Sequence, residues 1–225
     1  MTFHCLTVFP EMIKDALSHS ILKRASDNSI IKINCVNIRD FSADKHRQTD
    51  DYPYGGGAGM VMTPEPIYNA YKSIDAPKAT RVVYTSPTGK PFTQKLAATF
   101  SKESDIIILC GHYEGVDERV IEEIVTDEIS LGDFILTGGE ICAVAIIDAT
   151  ARLVSGVLGN AQSPLTESFS DVFTAEYPQY TRPAEFLGRR VPDVLLSGNH
   201  KNIENWRNEQ SAIRTEKYNS YRTGI

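Results

Sequence analysis

The chain has 225 residues, 41% hydrophobic and 23% charged, ordinary globular usage that excludes low-complexity and collagen-like classes and leaves enough apolar surface for a self-sufficient core. Its formal net charge of −6 excludes a protein coated over its whole surface in nucleic acid. The charge is unevenly spread: residues 177–225 carry a net of +3 and the first 176 a net of −9, so an acidic body precedes a basic tail suited to local phosphate contact, or simply to a solvated helical surface.

In chain order, apolar and β-branched runs alternate with helix-like stretches. Residues 3–9 predict a strand, 11–24 a helix, 30–38 a strand, 64–72 a helix and 81–85 a strand. Residues 93–102 then predict a helix, 105–110 a strand, and 116–125 and 140–154 two further helices. This rhythm predicts an α/β fold with a largely parallel sheet covered on both faces. The start, MTFHCLTVFPEM, lacks a basic leader, and the most apolar stretches (106–110 and 141–147) are too short to span a bilayer. A soluble cytoplasmic protein without membrane contact is the expectation. Cys5, Cys35, Cys110 and Cys142 stand singly among apolar neighbours, a pattern of buried free thiols rather than of paired zinc ligands.

The helix ICAVAIIDATARLV is apolar nearly all round and must be buried in a core or an interface; Asp148 and Arg152, four apart, share one of its faces. Periodicity stops after Ser155. The expected division is a body over residues 1–158, a flexible linker over 159–174, and a small helical domain over 175–225 with helices at 181–197 and 202–221.

Three turns carry the chemistry. RVVYTSPTGK leaves a strand into Ser86, Pro87 and Gly89; DIIILCGHYEGVDE leaves one into Gly111, Gly115 and the acids Glu114, Asp117 and Glu118; ISLGDFILTGGE brings Gly132, Gly138 and Gly139 to a helix start. Ligands of open parallel sheets bind outside the carboxyl ends of strands, and glycine lets backbone approach them closely. Each turn alone is an ordinary connection; three in register suggest a pocket for a flat, polar small molecule. YGGGAGM (54–60) does not follow a predicted strand, and no GxxxxGK[ST], GxSxG or HExxH string occurs. The loop DKHRQTDDYPYGGGAGM suits a flap over a substrate, or a plain surface loop.

YGGGAGM, the Ser-Pro-x-Gly turn, CGHYEGVDER, SLGDFILTGGE, DATARLVSGVLG and YTRP (180–183), in this order, resemble the bacterial tRNA (guanine-N1-)-methyltransferase family of the SPOUT class over nearly the whole chain. The resemblance implies a parallel-sheet SPOUT domain ending in a trefoil knot, a homodimer with its active site between subunits, and methyl transfer from S-adenosylmethionine to N1 of guanosine at tRNA position 37. Carried over, Tyr84, Ser86, Pro87, Gly111, Tyr113, Glu114, Gly115 and Val116 would line the cofactor site, with Ser130, Leu131, Gly132, Phe134, Leu136, Gly138 and Gly139.

The family's catalytic Asp, directly before Ser-Phe, is here Glu167; Gln179 replaces a histidine and Cys142 a proline. The implied roles are a general base for Glu167, with Asp171 as the fallback, and a guanidinium at the base carbonyl for Arg152. The resemblance also suggests Mg²⁺, for which Glu114 and Asp117 are the candidate ligands; an acidic helix start accounts for the same residues. Tyr54, Gly57 and Gly59 are candidates for the flipped target base, and Arg182, Arg189, Arg190, Lys201, Arg207 and Arg214 for tRNA phosphates. A tRNA-binding module without catalysis, a metal-dependent hydrolase built on His112, Glu114 and Asp117, and a SPOUT enzyme acting on ribosomal RNA or ribose remain rival readings.

Overall fold

The computed structural model describes residues 1–158 and 175–222. The chain divides into two compact units, Met1–Gly159 and Asn160–Ile225.

In the first unit the order is β1 (Thr2–Thr7), α1 (Pro10–Leu17), α2 (Ser20–Asp27), β2 (Lys32–Asn37), a 3₁₀ turn at Ile38–Phe41, β3 (Asp50–Asp51), β4 (Val61–Met62), α3 (Pro64–Lys72), β5 (Arg81–Pro91), α4 (Gln94–Phe100), β6 (Asp105–Cys110), α5 (Glu118–Ile124), β7 (Asp127–Ser130) and α6 (Glu140–Ala151). Five strands form one parallel sheet in the order β2-β1-β6-β5-β7. Strand side chains alternate between its faces. In β6, Ile106, Ile108 and Cys110 enter the core beneath α1, α2, α4 and α6, while Ile107 and Leu109 enter the core beneath α3 and α5. The near-continuous apolar run of β6 is thus what burial on two faces requires.

The sequence expectations change at several points. The predicted helix over 11–24 is two helices, because Ser18 turns its hydroxyl onto the Asp15 carbonyl (2.9 Å) and His19 is extended (φ −127°, ψ 159°). A serine hydroxyl that bonds its own backbone competes with the helix ladder. Strand β7 was not predicted, being only four residues, DEIS. Arg81 secures it by donating to Asp127 (3.1 and 3.3 Å) and to Glu103 (2.9 Å).

Strand β5 runs past the predicted Thr85. Thr85 and Lys90 both face Ile129 of β7, so residues 86–89 leave the ladder and return. Gly89 permits the return: a Cβ there would stand 2.5 Å from the Ile129 nitrogen.

The described part of the second unit contains β8 (Glu185–Phe186), β9 (Arg189–Arg190), α7 (Asp193–Leu196) and α8 (His200–Arg222). The helix expected over 181–197 is therefore only α7. Leu187 and Gly188 both have positive φ (52° and 75°), as a tight two-residue hairpin turn demands, and β8 pairs antiparallel with β9 around them. The expected linker, 159–174, lies outside the described residues.

Candidate functional site

A cleft of about 260 Å³ opens at the carboxyl ends of β5, β6 and β7. It is built from the three turns singled out in the sequence. Tyr84, Ser86 and Pro87 come from the first; Gly111, Tyr113, Glu114 and Gly115 from the second; Ser130, Leu131, Gly132, Phe134, Leu136, Gly138 and Gly139 from the third.

Hydrogen bonds shape each turn and tie the third turn to the second. Gly139 N–H donates to the Gly111 carbonyl (2.9 Å), and Gly115 N–H to the His112 carbonyl (3.1 Å). Ser86 Oγ meets the Thr88 hydroxyl (3.0 Å), and Gly132 N–H donates to Ser130 Oγ (3.2 Å). A Cβ on Gly111 would stand 3.0 Å from the Tyr84 ring, so glycine is what lets the second turn lie on the first. Burial pushes the Tyr84 hydroxyl above its ordinary pKa, opposed by a bond to the Val116 backbone. The phenol is thus a neutral group in the cleft floor.

Val116, alone of the expected cofactor residues, is not among those lining the cleft. Its side chain is buried in the α3–α5 core and its backbone bridges Met62, because the chain has by then turned from the cleft into the approach to α5. Thr85, His112, Ile135, Thr137 and Cys142 line the cleft instead, unforeseen. The sequence marked His112 only as a metal ligand, and Cys142 as a free thiol and a departure from the family pattern. All four cysteines are free; Cys5 and Cys110 are buried, whereas Cys35 and Cys142 are half-buried. Burial raises the Cys142 thiol above its ordinary value.

The glycine loop is rooted against the same cleft. Glu114 N–H donates to the Met60 carbonyl (2.9 Å) and Met62 N–H to the Gly115 carbonyl (2.9 Å). A Cβ on Gly59 would overlap the Glu114 side chain. Gly57 has φ +131°, and Tyr54 at the loop tip is 99% exposed.

Of the two expected Mg²⁺ ligands, Glu114 lines the cleft, whereas Asp117 is engaged by Arg119. Asp117 caps α5 by accepting from Arg119 N–H (3.1 Å), and both its carboxylate oxygens take bonds from the Arg119 guanidinium (2.9 and 2.7 Å). Arg119 thereby holds the Asp117 carboxyl below its ordinary pKa. Among the described residues no three His, Cys, Asp or Glu side chains cluster as a metal site.

Of the two expected catalytic side chains, only Arg152 lies among the described residues. Glu167, like Asp171, lies outside the described residues. Arg152 is the C-cap of α6, whereas Gly138, Gly139 and Cys142 in the cleft belong to its N-terminal end. Twelve helical residues separate the ends by about 18 Å.

In the second unit, Arg182, Arg189, Arg190 and Lys201 are exposed. Arg207 lies over the Tyr177 ring (4.8 Å to its centre), and Arg214 donates to the Glu176 carbonyl (3.2 Å). Those last two therefore also brace the segment that precedes the hairpin.

Comparison with known proteins agrees with this geometry. A family model described as tRNA (Guanine-1)-methyltransferase TrmD matches residues 1–222. The chain is 57% identical over 215 residues to a Staphylococcus carnosus protein named tRNA (guanine-N(1)-)-methyltransferase, covering 96% of this chain and 87% of that one. It is 56% identical over 217 residues to the Caldicellulosiruptor saccharolyticus protein of the same name, covering 96% and 88%. The Staphylococcus aureus (strain Newman) protein so named is 55% identical over 215 residues, covering 96% and 87%.

Proposed function

The chain belongs to the tRNA (guanine-1)-methyltransferase family, and from that premise we propose that it transfers the methyl group of S-adenosylmethionine to N1 of guanosine at tRNA position 37. The carrying observation is that three glycine turns converge on one cleft at the ends of β5, β6 and β7. S-adenosylmethionine, when bound, supplies an electrophilic methyl group on a sulfonium leaving group.

The residues suit such a donor. Leu131, Phe134 and Leu136 offer apolar surface, while the Gly111, Gly115 and Gly139 backbones allow close approach of a flat ring. Guanine N1 carries a proton and attacks poorly until that proton leaves. Glu167 is proposed to take it, and the Arg152 guanidinium to stabilise the negative charge that develops at the base carbonyl. Positioning supplies the remainder, because donor and acceptor must lie in line.

Arg152 stands about 18 Å along α6 from its own chain's cleft. This separation supports a homodimer in which Arg152 and Glu167 of one subunit complete the cleft of the other. The exposed face of α6, with Ile141 54% exposed and Ala145 beside it, supplies apolar surface for such a contact. The proposal includes the family's trefoil-knotted SPOUT architecture, a linker over residues 159–174, and a tRNA-binding domain over 175–225. There Arg182, Arg189, Arg190 and Lys201 meet phosphates, with Arg207 and Arg214 in a bracing role. Tyr54, Gly57 and Gly59 would cover the target base, which must leave the anticodon stack to react. Acting on tRNA, the enzyme would work in the cytoplasm; no helix among the described residues is long and apolar enough to cross a membrane.

The test is transfer of labelled methyl from S-adenosylmethionine to a tRNA transcript with guanosine at position 37, against one changed there. Label appearing only on the first supports the reading; equal labelling of both, or none, defeats it.

A further inference from the structure

Glu140 opens α6 and is 1% exposed, a carboxylate taken almost wholly out of water. A buried charge persists only when its lone pairs are used. One oxygen accepts from the Thr7 hydroxyl at the end of β1, and the other meets Nε2 of His112 at 2.6 Å. An ionised carboxylate only accepts, and in that pairing Nε2 is the donor.

His112 is held by further contacts. Its ring meets Phe9 edge-on at 5.0 Å. Its backbone N–H points at the Met62 sulfur (3.3 Å), and its strand-like bridge is to Gly138. A Cβ on Gly138 would overlap the imidazole. One carboxylate thus fastens the end of β1, the turn after β6 and the start of α6, and the last two are walls of the cleft.

We propose that Glu140 is a positioning residue for donor binding: through His112 it locks the turn of residues 111–115 against the Gly138–Gly139 turn, setting affinity for the methyl donor rather than the rate of transfer. This rests on the reading of the cleft as the S-adenosylmethionine site. The charge matters as well as the shape, since hydrogen bonds to an ionised acceptor are shorter and stronger than neutral ones.

The experiment uses the full chain and a tRNA transcript, with donor and tRNA KM, kcat and melting temperature measured for Glu140→Gln, His112→Gln and the double variant. Donor KM should rise about five- to tenfold in either single variant, the scale of a weakened charge-assisted hydrogen bond. Values of kcat and tRNA KM should stay within about twofold, and the double variant should be no worse than the worse single, as coupled partners require. An unchanged donor KM, or donor and tRNA KM rising together as general loosening would make them, overturns the proposal. If Glu140→Gln does not fold, His112→Gln decides alone, its side chain being 12% exposed at the cleft. Direct binding of labelled donor separates the two levels. No binding by the unaltered chain removes the cleft assignment; normal binding by it and by both single variants removes only the role of Glu140.

Discussion

Gly139 and Thr85 lie so close that a methyl group on Gly139 would overlap the Thr85 hydroxyl and stand 2.9 Å from the Cys110 Cα. This contact seats the start of α6 on the ends of β5 and β6, where the cleft lies. Gly139→Ala should therefore lower stability by roughly 1–3 kcal/mol through overpacking and weaken donor binding by about tenfold or more. Thermal melting and calorimetric titration with S-adenosylmethionine check this. Wild-type affinity in a destabilised variant would move the donor away from the cleft floor.

Catalysis and donor binding should separate by residue. Arg152→Ala and Glu167→Ala should each reduce turnover by about 10²–10⁴-fold and leave donor affinity nearly unchanged. Loss of donor binding instead would make them structural. An inactive Asp171→Ala beside an active Glu167→Ala would transfer the base to Asp171.

If the active site is shared, two defects on different chains should complement. Arg152→Ala chains mixed with Gly139→Ala chains under subunit exchange, at donor concentrations that leave the Gly139→Ala cleft largely empty, should give more activity than the two variants give separately. A mixed dimer of a shared-site enzyme keeps one cleft with intact parts from both subunits. Activity of the mixture no higher than the sum of the two would place the whole site in one chain.

Asp117 gives a pH signature. Hydrogen bonds from Arg119 hold its carboxyl below its ordinary value, so the folded state gives up that proton more readily than the unfolded chain. The stabilisation is complete above the unfolded carboxylate value and is lost as pH falls through the depressed folded one. Asp117→Asn should keep an N-cap for α5 while making acid unfolding less steep in the carboxylate range. Superimposable acid-unfolding curves would show that the pair contributes nothing, as many exposed pairs do.

The basic tail should announce itself in salt dependence. Replacing Arg189 and Lys201 by alanine should weaken tRNA binding and reduce the log–log salt slope by about two, near one for each phosphate no longer neutralised. Filter binding from low to moderate salt measures it. An unchanged slope would remove these two side chains from the RNA surface.

Much of this fold and site is legible in the amino-acid sequence. The apolar run of β6 declares a strand buried on two faces, and the glycines at 111, 115, 138 and 139 declare turns at strand ends, because local period and φ freedom are written residue by residue. Strand β7 is not legible, for DEIS carries no run; Arg81, 46 residues away, secures it through Asp127. Nor is the hairpin at 185–190, whose positive φ at Leu187 no leucine advertises. Glu140 reads as an ordinary acid in a first helical turn. Its burial against Thr7, 133 residues distant, depends on strand β1 lying beside β6. That order of strands arises from contacts between segments far apart in the chain, so only the tertiary structure decided that Glu140 and His112 meet beside the cleft.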